Sequence, residues 1–217
     1  MPAASARSSA FLAAVLLATA AGAGDLSALV RDADGKPVAD AVVSLVPLDA
    51  PAPPGAPETH PVKIAQSGKQ YRPHVTPVRA GTKVDFPNED AIQHHIYSLS
   101  KAKPFEKPLY EGGSSESVVF DKPGVVTLGC NIHDWMIAYV VVLETPWFAK
   151  SDEAGRASVA GLPAGRYAVE VWHPRLAAPV RQELSLTGGG ALEQAFELRL
   201  KPDRRLRRAP SGENKGY

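Results

Sequence analysis

Phe120-Asp121-Lys122-Pro123-Gly124-Val125-Val126-Thr127-Leu128-Gly129-Cys130-Asn131-Ile132-His133-Asp134-Trp135-Met136 passes from a Pro-Gly turn through a short apolar strand into a loop, and the β-branched run Ile137 to Leu143 follows it. Cys130 ends one strand and Met136 leads into the next, so the turn between them can wrap its side chains around one ion. A thiolate, an imidazole and a thioether in one short loop are the soft donor set that selects copper and tunes its redox potential. Two strands joined by such a loop already point to an antiparallel β protein.

The rest of the chain agrees with that reading. Apolar residues alternate or form short β-branched runs bounded by Gly, Pro, Asn and Asp, and helical periodicity is almost absent. The fold class is therefore all-β. Strands are expected at Leu26 to Arg31, Ala41 to Val46, Val75 to Val78, Thr82 to Phe86, His94 to Ser98, Ser117 to Phe120, Val125 to Leu128 and Ile137 to Leu143. Further strands are expected at Ala157 to Val159, Tyr167 to Trp172 and near Ala195 to Leu200. The Pro-rich stretch Pro51 to Pro61 lacks too many N–H donors to be a strand, and it reads as a linker or long loop.

Compartment follows from the first residues and from the cysteine count. Arg7, the apolar run Phe11 to Ala18 and the small residues Ala21-Gly22-Ala23 make a secretory signal peptide over residues 1–23, too short to span a bilayer. The chain is expected to be periplasmic or secreted, with no stable membrane insertion. It holds one cysteine, so an exported form can make no internal disulfide. The thiol has either a packing role or a chemical one, and His133 and Met136 beside it favour chemistry. The formal charge is +1, but Lys201 to Tyr217 is a basic, polar tail that reads as disordered. No nucleic-acid partner is expected, and the protein is expected to be a monomer.

Two resemblances sharpen this. The block from about Ile64 to Glu144 resembles the cupredoxins, and Cys130-x-x-His133-x-x-Met136 is similar to the short ligand loop of their amicyanin branch. Asn88, Asp90 and His94 match the spacing by which cupredoxins introduce their first ligand histidine. The resemblance implies a Greek-key sandwich over residues 60–146 that holds one mononuclear copper ion with His94, Cys130, His133 and Met136. Asn88 is then expected behind the ligands. His95 stands where many cupredoxins have Asn, so it either supports the site or competes for the ion. Asp134 replaces a loop proline. Similar bacterial proteins carry a methylamine-utilisation label, which by itself names no substrate.

The second resemblance is in the flanks. Asp32-Ala33-Asp34-Gly35-Lys36-Pro37 with Val38 to Leu45, and later Gly161-Leu162-Pro163-Ala164-Gly165-Arg166-Tyr167 with Ala168 to Val171, resemble the carboxypeptidase regulatory-like, transthyretin-like sandwich family. Neither half has enough strands to bury a core alone. Residues 25–50 and 147–200 are thus expected to form one smaller discontinuous β-sandwich interrupted by the copper block, with 201–217 as the tail. Two separate domains, with the first hairpin packed on the middle one, are the alternative.

Competing metals fit the residues less well. Structural zinc takes four closed Cys and His ligands, which a thioether suits poorly. A dinuclear copper centre would need a second cysteine. The resemblance implies an electron carrier rather than an enzyme, cycling Cu(I)/Cu(II) with a redox partner such as a c-type cytochrome or periplasmic oxidoreductase. Ile132 and Trp135 are expected to form an apolar docking patch around the His133 edge. The alternative is a periplasmic copper-binding carrier or sensor that delivers the ion to a partner.

Overall fold

A computed structural model describes residues 23–53, 60–187 and 189–203. Residues 1–22 of the expected signal peptide, most of the Pro-rich stretch and most of the basic tail lie outside the described residues. The chain opens with β1 (Gly24–Asp32) and β2 (Val42–Pro47). Ten strands follow: β3 (Val62–Lys63), β4 (Ala65–Gln66), β5 (Tyr71–Arg72), β6 (Val75–Arg79), β7 (Thr82–Pro87), β8 (His94–Ser98), β9 (Phe105–Tyr110), β10 (Ser115–Phe120), β11 (Gly124–Gly129) and β12 (Ile137–Leu143). It closes with β13 (Phe148–Lys150), β14 (Arg156–Leu162), β15 (Gly165–Trp172), β16 (Val180–Leu186) and β17 (Ala191–Leu198). The fold is all-β, and among the described residues no helix is long and apolar enough to cross a membrane.

Strands from the two ends of the chain share sheets. β1 lies between β14 and β17, and β2 lies between β13 and β15, with β16 outside β15. Leu26, Val30, Leu45, Tyr167, Val169, Phe196 and Leu198 meet in one core between these sheets. The alternation in β1 and β15 is what allows this, because every second side chain points inward.

The middle block makes its own sandwich. One sheet runs β6-β12-β11-β8-β9 and the facing one β10-β7-β3, with the small hairpin β4-β5 beside them. Ile64, Val84, Phe86, Ile96, Phe120, Val126, Leu128 and Val140 fill its interior, and Cys130 and Met136 sit at the edge of the same core. β12 is buried on both faces, which explains why its sequence does not alternate. Ala138, Val140 and Val142 face this core, while Val141 joins Val42 and Val75 in a separate cluster flanked by Tyr139, Leu143 and Trp172. The flanking sandwich thus rests on the face of β12 opposite the Cys130 core. Lys150 Nζ reaches across to Val75 O at 3.0 Å and pairs with Asp40 at 3.0 Å.

Several strands depart from expectation. The last one is Ala191–Leu198, earlier than Ala195 to Leu200, because β17 pairs in parallel with β1 along its polar first half as well. β9 contains Glu106, Lys107 and Pro108, and β16 exposes most of its residues; both are edge strands whose sequence carries little apolar signal.

Candidate metal centre

The loop residues 130–136 are short because β11 and β12 are paired up to Gly129 and Ile137. The loop turns back on itself through a bond of 2.9 Å from Met136 N–H to His133 O. That turn brings His133 over Cys130, with Nδ1 3.9 Å from Sγ. The third member comes from β8. Candidate ligand atoms of His94, Cys130 and His133 all lie within 4.8 Å of one another. Met136 is 1% exposed, packs in the same core as Cys130, and lines the same surface cleft of about 400 Å³.

His94 is fully buried, and its Nε2 lies 2.7 Å from Asp90 Oδ2. Its other ring nitrogen, Nδ1, has no hydrogen bond of ordinary geometry. A buried polar atom without a partner costs about 1–3 kcal/mol, and here it belongs to the residue that shares the cluster with a thiol. A carboxylate behind the far nitrogen of an imidazole is also how proteins orient a metal-ligating histidine. The residues present therefore fit a metal ion.

The electrostatics agree. Burial pushes the Cys130 thiol up, but the His94 side chain beside it and the backbone N–H groups of His95, Ile132 and His133 outweigh it and hold the thiol below its ordinary value. Donors that favour a thiolate also favour metal ligation, since the ligand must be deprotonated. Burial would lower His94, yet Cys130 and Asp90 raise it overall. His133 is lowered, first by burial and then by the charges of His94 and Lys69, so its ring is neutral near pH 7.

Asn88 takes no part in the cluster but builds the turn that delivers it. Its Nδ2 donates to Ile92 O at 2.8 Å and Tyr110 O at 3.1 Å, while its Oδ1 accepts from Asp90 N–H at 3.1 Å. The His95 ring lies outside the cluster: its Nε2 is 2.9 Å from Glu106 Oε1, and its ring lies tilted 5.6 Å from that of Tyr97. Its backbone does serve the site, through the N–H that reaches the Cys130 sulfur. Ile132 is 48% exposed beside His133. Trp135 is half-buried, with its ring 5.2 Å from that of His133 and its Nε1 donating to Lys69 O at 3.1 Å.

That last bond exposes what the residue pattern did not single out. The hairpin β4-β5 closes one side of the site, and its only sequence signal was Ser67-Gly68, a turn dipeptide between two short segments.

Two His and one Cys brought together in a β-sandwich are donors of the kind that blue-copper sites use, and Met136 packs in the same core as Cys130. The site is cupredoxin-like. No family model matches the chain, and no curated protein does. Among solved structures, a purple cupredoxin from Nitrosopumilus maritimus is 26% identical over 38% of this chain and 99% of its own, with a TM-score of 0.35. A reduced Cu(I) form of an amicyanin variant is 18% identical over 41% of this chain and 92% of its own, with a TM-score of 0.37. A copper-containing nitrite reductase from Thermus scotoductus is 26% identical over 54% of this chain and 28% of its own, with a TM-score of 0.38.

Proposed function

We propose that this protein is an exported electron carrier that holds one copper ion with His94, Cys130, His133 and Met136. The observation that carries the reading is the buried, unpartnered Nδ1 of His94 in a cluster with Cys130 and His133. Bound there, copper supplies a one-electron Cu(I)/Cu(II) couple. The chain's own residues do the rest. Asp90 holds the His94 ring, and the backbone N–H groups around the Cys130 sulfur stabilise its negative charge, one of the levers by which a protein sets the potential of such a site. His133 is the half-exposed member of the cluster, and Ile132 and Trp135 flank it. That edge is the proposed contact for a soluble redox partner, such as a c-type cytochrome or a periplasmic oxidoreductase.

Residues 60–146 are the proposed copper domain, and 25–50 with 147–200 a discontinuous sandwich domain that carries it. Export rests on the leader-like residues 1–23. Absorption spectroscopy with metal analysis on the mature protein tests the function. One copper per chain and an intense sulfur-to-Cu(II) charge-transfer band are expected. Zinc alone, or copper without the band, sinks the electron-carrier reading; a colourless site that prefers Cu(I) is the outcome for copper delivery instead.

A further inference from the structure

The hairpin β4-β5 supplies none of the four proposed ligands, yet it bonds to the segments that carry all of them. Its tip is closed by a bond of 2.9 Å from Ser67 N–H to Gln70 O. Both residues between are left-handed, with φ 64° at Gly68 and 55° at Lys69. Glycine adopts that conformation freely, whereas a lysine there carries a steric cost. The result is that two successive N–H groups point at one carboxylate: Gly68 donates to Asp90 Oδ1 at 2.7 Å and Lys69 to Oδ2 at 2.9 Å. Asp90 is the group that holds His94. Lys69 O accepts from Trp135, so the same turn also anchors the loop that bears His133.

Tyr71 completes the set. It is 3% exposed, and its hydroxyl lies 3.0 Å from both His95 O and Gly129 O. Those carbonyls belong to the residues next to His94 and Cys130. β8 and β11 are in register at a single pair, Gly129 with Tyr97, so the sheet ladder does not itself tie His94 to Cys130. A hydroxyl carries one proton, which the two carbonyls share in a three-centre bond. Burial, with the nearby Cys130, pushes the ionisation of Tyr71 far above its ordinary value, so the hydroxyl stays a donor.

We propose that the β4-β5 hairpin is a clasp that sets the spacing of the His94 and Cys130 strands before any ion arrives, with Tyr71 as its positioning residue. The inference rests on the copper reading of the cluster and deepens it. Ligands already held by the fold lose little freedom when an ion binds, and rearrange little when its charge changes.

Tyr71→Phe keeps the ring and removes only the shared hydroxyl. Tyr167→Phe is the control: it removes the hydroxyl of a residue as little exposed as Tyr71, bonded to Pro163 O at 2.8 Å in the flanking sandwich. Two measurements on the mature full chain decide. One is amide hydrogen exchange at His95 and Cys130 in the metal-free protein; the other is the rate at which the copper-loaded protein yields its ion to a chelator. Tyr71→Phe is expected to speed both by about tenfold or more and to shift the reduction potential, whereas Tyr167→Phe leaves all three close to wild type. Unchanged exchange and release in Tyr71→Phe overturn the clasp, and so does an equal acceleration in Tyr167→Phe, which reports only general loss of stability. If Tyr71→Phe does not fold, Trp135→Phe cuts the bond to Lys69 instead, and an unchanged release rate there overturns the proposal. A wild-type chain that takes up no copper sinks the copper reading, while exchange in the metal-free protein still decides the clasp.

Discussion

The flanking sandwich and the middle block are built from the same material, β-branched strands closed over an apolar interior, but they bury different polar groups. In the flanks the buried Ser151 hydroxyl is matched twice, accepting from Ala41 N–H at 2.9 Å and donating to Val38 O at 2.8 Å. The buried His173 accepts from Arg175 N–H through Nδ1. In the middle block His94 and His95 are both buried, and each leaves Nδ1 unpartnered. A core selected for stability satisfies its polar atoms; one that tolerates an open nitrogen beside a thiol has another use for it.

The largest separation between the two regions should come from His94→Ala. It is expected to abolish the copper band, while His95→Ala, whose ring lies on Glu106 outside the cluster, only shifts it; absorption titration with copper reads both. Reversed outcomes would move the site to the other face of β8. Next, Leu45→Ala in the flanking core should cost about 2–5 kcal/mol by denaturant unfolding, as other buried leucines do, without moving the copper spectrum. A moved spectrum would mean that the packing of Val42, Val141 and Trp172 transmits strain into the site.

Asp90→Asn should weaken copper affinity about 10–100-fold, the usual loss when the group behind a ligand histidine is altered, with little change in the flanks. The smallest effect is at the flanking surface. Asp49 is held below its usual value by hydrogen bonds from the Arg166 backbone and side chain. A depressed carboxylate contributes stability above its unfolded-state pKa and loses it as pH falls through the folded value. Asp49→Asn should therefore remove a small, salt-sensitive part of the acid dependence of melting and leave the copper site untouched. Melting curves across the acid range check it.

How much could be read in advance differs between the two regions. β1, β14 and β15 were legible as strands because alternation reports one buried face, and β2 because its run is short and β-branched. In the middle block β11 and β12 were equally legible, and with them the loop that carries Cys130, His133 and Met136. The two-residue strands β3, β4 and β5 were not, since so short a run has no periodicity to detect. That loss matters most at Tyr71, an ordinary aromatic in the sequence that bonds across the two ligand-bearing strands.

Residues close in the chain declared themselves through spacing. Cys130, His133 and Met136 share one loop, and a loop of that length between paired strands must bring its side chains together. The contribution of β8 was narrowed by alternation to one of two adjacent histidines. Which ring enters the cluster, and what holds it there, depended on how β8 pairs with β9, where the register slips between His94 and Ile96, and on where the hairpin tip meets Asp90. The hairpin-tip contacts join residues more than twenty apart in the chain, and no local preference of the chain encodes them. Packing and the hydrogen bonds across it made the choice.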